Sequence, residues 1–147
     1  QQQNSWDKNI ICSGWKMYMN SVQATIALQS FNKLEQKKHR LAKIRQRYNA
    51  EFGLNNTSEH LYRIRTTNND RAQRYLKLHE IESGIHYRVL HSHPVYSKYN
   101  GGKRYIISPF LYSEEISKTT LSIPFHEELT EEEIDKVINY VKQIIKI

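Results

Sequence analysis

At 147 residues, 38% of them apolar and 25% charged, the chain has the size and composition of one globular domain that buries a core without disulfides or a structural metal. No run of about 18 apolar residues occurs in it, which excludes a hydrophobic membrane-spanning helix. The net charge of +7 raises nucleic-acid binding, yet seven basic residues against one acid fall between Lys33 and Arg47, interleaved with Leu34, Leu41 and Ile44 at helical spacing; that pattern reads as the solvated face of a helix, not a phosphate-reading surface.

The chain opens Gln1-Gln2-Gln3-Asn4-Ser5 without an initiator methionine or a signal pattern, so a trimmed N-terminus or fragment edge is expected. The lone Cys12 cannot form an internal bridge, and a reducing cytoplasm is the simplest setting. From Asn20 to Phe52 the apolar residues recur at steps of mostly three or four, predicting one long amphipathic helix capped at Asn20 or Ser21 and stopped by Gly53. A helix of that length often bridges two bodies. His60 to Thr66 reads as a strand, Asn68-Asn69-Asp70 as turn and cap, and the helix that follows carries Leu76, Leu78 and Ile81 and ends at Gly84.

Gly84 to Tyr96 holds three of the seven histidines, an arginine and two tyrosines. Read with period two, Ile85, Tyr87 and Val89 share one face of a strand and His86, Arg88 and Leu90 the other. Histidine and arginine projecting together suit an anionic or hydroxyl-rich ligand, against the alternative of ordinary surface or core hydrogen bonding. A metal site built from His86, His91 and His93 is disfavoured, because no cysteine or carboxylate lies at ligand spacing.

Asn100-Gly101-Gly102 marks an exposed loop, Ser113 to Lys118 a short helix, and Thr119 to Ile123 a strand stopped by Pro124. Thr130 and Glu133 have the spacing of a capping box, with Leu129 and Ile134 as its hydrophobic staple. Ile134, Val137, Ile138, Val141, Ile144 and Ile145 then form one apolar helical face suited to packing on a sheet. The order helix, strand, helix, strand, helix, strand, helix predicts an α/β fold of α+β two-layer type: a small sheet covered by helices, with the first helix reaching away.

Four stretches fall into the order and spacing of one family. Gly14-Trp15-Lys16-Met17-Tyr18-Met19-Asn20-Ser21-Val22-Gln23-Ala24 is similar to a segment that opens a long helix in the DegT/DnrJ-type pyridoxal-phosphate-dependent sugar aminotransferases. His60-Leu61-Tyr62-Arg63-Ile64-Arg65 resembles their His-Leu-Phe-x-Ile-Arg strand, and Gly84 to His91 a Gly-x-His-Phe-Arg-x-x-His segment of some members. Leu121-Ser122-Ile123-Pro124, followed by Leu129-Thr130, looks like their Leu-Ser-Leu-Pro ending. Each motif is short and unspecific alone; their register together carries the resemblance.

The resemblance implies a fold type I aminotransferase C-terminal part: residues 1–19 a remnant of the large domain and loop, 20–53 the connecting helix, and 54–147 the small domain. It implies pyridoxal phosphate as cofactor, a nucleotide-linked keto sugar as substrate, glutamate as amino donor, a homodimer, and a role in surface polysaccharide or lipopolysaccharide synthesis. Lys16 and Tyr18 match the stretch that reaches the neighbouring subunit's cofactor phosphate, although Tyr18 stands where members carry asparagine or arginine and packing at a boundary is the alternative. His86, Arg88 and His91 match the segment lining the substrate entrance, while His126 matches a position read as structural. No lysine here has the sequence context of the family's Schiff-base lysine, so no catalytic residue is expected and the chain alone should not transaminate. The alternative is a non-catalytic sugar-nucleotide-binding or dimerisation domain.

Overall fold

Alternating burial and strand register build the centre of the fold. The computed structural model describes residues 18–95 and 110–145; Cys12, Lys16 and the expected loop at Asn100-Gly101-Gly102 lie outside them. Strand β1, Tyr62–Arg65, buries Tyr62 and Ile64 and exposes Arg63. It pairs antiparallel with β2, Thr120–Ile123, setting Tyr62 against Ile123, Arg63 against Ser122 and Ile64 against Leu121. Directly opposed residues share a face, so the four apolar side chains point to the core while Arg63 and Ser122 stand on the far side. Isolated bridges extend both edges, Thr66 to Ile145 and Gly84 to Ser122.

Among the described residues the helices with both ends defined are α1 Ser21–Asn32, α2 Leu34–Phe52, α3 Asn69–Leu78, α4 Leu111–Thr119 and α5 Glu131–Val141. The continuous helix predicted from Asn20 to Phe52 is divided at Lys33, where φ −101° and ψ 1° leave the helical range. Ser30, Phe31 and Asn32 are successive weak helix formers, and α1 buries no residue that would compensate. Its Asn20 cap is made in full, with Gln23 N–H donating to the Asn20 side chain and the Gln23 side chain accepting from Asn20 N–H. In contrast, α2 buries Ile44, Tyr48 and Phe52 and stops at Gly53 with φ 64°.

The expected capping box of α5 is present, with Glu133 N–H donating to Thr130 Oγ1 and Thr130 N–H to the Glu133 carboxylate. Leu129 and Ile134 are both buried, as a staple requires. Ile134, Val137, Ile138 and Val141 of α5 join Tyr48, Tyr62, Leu76 and Leu121 in one core. The Tyr48 and Tyr62 rings meet edge to face at 5.0 Å, and the Tyr62 hydroxyl donates to Asn49 Oδ1 at 2.8 Å. Burial pushes the Tyr62 phenol up to about 12.

The basic run of α2 is not a wholly solvated face. Arg47 reaches Glu131 at 2.6 Å and also pairs with Asp135, and Arg40 spans Glu131 at 2.9 Å and the Leu129 carbonyl at 2.7 Å. Lys37 pairs with Glu127, and Lys142 with Glu51 at 2.7 Å. Each pair is partly solvated and individually weak; Arg40 and Arg47 tie α2 to the start of α5, Lys142 and Glu51 join the C-terminal ends of the two helices, and Lys37 reaches the segment ahead of α5.

Two further expectations fail. Helix α3 does not run to Gly84: it ends at His79 in a Schellman arrangement, with Glu80 at φ 58°, Glu80 N–H donating to the Lys77 carbonyl and Ile81 N–H to that of Leu76. The expected strand after Gly84 is also missing. Only Gly84 exchanges backbone hydrogen bonds with Ser122, at 2.9 and 2.8 Å, and the chain then leaves the sheet, making a 3-10 turn at Leu90–Ser92. The period-two faces are lost with it, because Ile85 is buried whereas Tyr87 is 64% exposed.

Candidate functional site

The outer face of the sheet presents polar atoms because the register sets Arg63 beside Ser122, and the bridge adds Gly84 on the other side of Ser122. Gly84 matters through the side chain it lacks. A Cβ there would lie 2.5 Å from His86 Cε1, so the imidazole of His86 occupies the space over the glycine. In that position His86 Nδ1 is 2.9 Å from Ser122 Oγ. Burial, followed by the positive neighbours His60 and Arg63, holds the His86 imidazole below its usual range.

His86 lines a cleft of about 360 Å³ where β1 begins and β2 ends. Further walls come from His60 and Leu61 before β1, Glu82 and Ser83 before Gly84, Tyr87, and Pro124 to His126 after β2. The Ser83 Oγ atom is buried and bonds to no other atom of the described residues. The cleft thus combines imidazoles and hydroxyls with the aromatic surfaces of Tyr87 and Phe125.

The other expected site residues do not join it. Arg88 pairs with Asp70 in the first turn of α3 at 2.6 Å. His91 lies 3.2 Å from Glu114 of α4 and stacks on Phe110 with centroids 5.1 Å apart. His93 is buried, and among the described residues no group of three histidine, cysteine or acidic side chains is arranged to hold a metal ion. Lys16 lies outside the described residues, and Tyr18, just ahead of α1, is 97% exposed.

Gly84, Ser122 and His60 were not legible as site residues. Gly84 passed for a helix stop, although the signal for Ser122 was present: a polar residue between Leu121 and Ile123, at the period-two position that faces away from the core. His126, read as structural, is exposed at the mouth of the cleft.

The comparisons agree with the motifs. An uncharacterized protein of Methanocaldococcus jannaschii is 30% identical over 162 aligned residues, and the spore coat polysaccharide biosynthesis protein SpsC of Bacillus subtilis is 26% identical over 161. Both alignments take in 97% of this chain, which spans only 41% of each relative. Among solved structures, Helicobacter pylori PseC, an aminotransferase involved in the biosynthesis of pseudoaminic acid, shares the fold with a TM-score of 0.72 at 17% identity, over 97% of this chain and 42% of that one. The aminotransferase TlmJ of Streptoalloteichus hindustanus matches with a TM-score of 0.70 at 21% identity, over 85% of this chain and 36% of its own. The profile of the DegT/DnrJ/EryC1/StrS aminotransferase family aligns with residues 1–142, and the chain belongs to that family.

Proposed function

We propose that this chain supplies the connecting helix and the small C-terminal domain of a pyridoxal-phosphate-dependent aminotransferase that moves an amino group from glutamate to a keto group on a nucleotide-linked sugar, for surface polysaccharide or lipopolysaccharide synthesis. The alignment of residues 1–142 with the family supports this reading most strongly. The chain contributes the substrate-side wall, with His86 in the cleft and Arg88 and His91 on the segment leading from it. Pyridoxal phosphate supplies the electron sink for amino transfer, and its Schiff-base lysine belongs to a part of the enzyme that this chain does not provide. Lys16 and Tyr18 face the neighbouring subunit's cofactor phosphate in a homodimer, which accords with the open surroundings of Tyr18. The apolar residues Val22, Ile26 and Phe31, all more than half exposed on α1, leave that helix suited to packing against another body.

Kinetics of the complete dimer test the reading. His86→Ala or Arg88→Ala should raise KM for the nucleotide-linked keto sugar about tenfold while cofactor loading persists. An unchanged KM in both variants leaves these residues a structural role only.

A further inference from the structure

Ser122 stands between β1 and the segment at Gly84. It exchanges both backbone hydrogen bonds with Gly84, at 2.9 and 2.8 Å, so its pairing with Arg63 on the other edge is the kind without backbone bonds, in which side chains stand closest. Ser122 is 4% exposed, and among the described residues its hydroxyl is hydrogen-bonded to Nδ1 of His86, at 2.9 Å. A serine hydroxyl both donates and accepts, whereas a guanidinium carries donors only. Of the two side chains beside it, the imidazole is therefore the one that can accept the hydroxyl hydrogen. Were the ring proton on Nδ1 instead, the imidazole would donate to Oγ and strand that hydrogen in a nearly buried place, with the cost of a desolvated donor.

We infer that Ser122 is a positioning residue: its hydroxyl donates to Nδ1 of His86 and fixes the ring in the neutral form that carries its proton on Nε2. Turning the ring over would set Cδ2 against the hydroxyl and leave the hydroxyl without that acceptor, so the same bond fixes the ring's orientation. Burial of the ring and the positive neighbours His60 and Arg63 act in the same direction, because each opposes an imidazolium. A ring held in this way is a hydrogen-bond donor at Nε2 and not a base. It suits an oxygen acceptor, a carbonyl or a hydroxyl, and it takes up a proton only by reversing the serine hydroxyl. In the proposed enzyme His86 thus orients the sugar and does not move its protons. What the ring meets rests on the proposed function; where its proton sits does not, and a measurement without substrate separates the two.

Long-range proton–nitrogen NMR of the imidazoles in the full 147-residue chain, at about pH 8 and above the ordinary histidine range, reads the place of the proton directly. Nδ1 of His86 should show the shift of an unprotonated nitrogen and Nε2 that of a protonated one. Ser122→Ala removes one oxygen atom and should leave the proton shared between the two nitrogens. A donor to the neutral ring is lost with it, so the midpoint of the His86 titration should rise by about half a pH unit. Ser122→Thr keeps a hydroxyl on the same carbon and should restore both wild-type readings. His60, Arg63, Glu82, Tyr87 and His126 are the other charged or titratable groups around the ring; all three chains retain them, so a difference among the chains belongs to the hydroxyl. A proton on Nδ1 in the unaltered chain would overturn the inference, whether or not the variants fold. So would a Ser122→Ala chain with the nitrogen shifts and midpoint of its parent, or a Ser122→Thr chain that behaves like Ser122→Ala.

Discussion

At the residue scale, the cleft depends on an absence. Gly84 has no positive φ and pairs with Ser122 like an ordinary strand residue, so alanine meets no backbone penalty; what it meets is the His86 ring. Gly84→Ala should swing that ring away, break its contact with Ser122 Oγ and cost about 1 kcal/mol in denaturant unfolding. In a His86→Ala background the same substitution should cost almost nothing, and this non-additivity is the measurement that separates ring displacement from a general loss of stability. The sequence displayed His86 but not what it would touch, because ring placement depends on a bridge between segments 38 positions apart, Gly84 and Ser122. Arg88 and His91 were equally visible as chemistry-bearing residues, yet Asp70 and Glu114 draw them to two different helices.

At the element scale, what was legible had local causes. The Thr130 capping box, the Gly53 stop and the apolar face of α5 from Ile134 to Val141 each follow from residues within a turn or two of one another and occur where the spacing predicts them, whereas Ile144 and Ile145, expected on the same helical face, lie past the helix end, Ile145 bridging to Thr66. The end of α3 was misread because its left-handed residue is Glu80, not a glycine, held there by the Schellman bonds and by Ile81 burying itself beside Leu76. The strand after Gly84 was misread because alternation describes only a chain that stays paired, and this one leaves the sheet after one residue. Asn69 was read as part of a turn, yet it is 1% exposed and its side-chain amide donates to the carbonyls of Ser117 at 2.7 Å and Thr120 at 2.9 Å. It joins the start of α3 to the end of α4 and the start of β2. Asn69→Ala leaves both carbonyls short of a donor in a buried place and should cost about 2–3 kcal/mol, measured by the shift of the urea midpoint at unchanged slope.

At the scale of the whole molecule, the fold divides into a packed body and a projecting helix. The body unites α2, α3, α5 and both strands around a single core, with α4 joined at its margin through the Asn69–Ser117 hydrogen bond, and the ion pairs between α2 and α5 account for much of the positive charge that composition alone left open. Helix α1 lies outside that core, with Val22, Ile26, Leu28 and Phe31 exposed, in a chain that spans 41% of the curated relatives it matches. The central claim is that this chain carries the substrate side of an aminotransferase site and no lysine that forms the cofactor's Schiff base. Borohydride reduction of the 147-residue chain with pyridoxal phosphate, followed by peptide mass spectrometry, tests that claim most directly. The account predicts scattered, substoichiometric labelling of surface lysines, and one stoichiometric pyridoxyl adduct at a single lysine would contradict it.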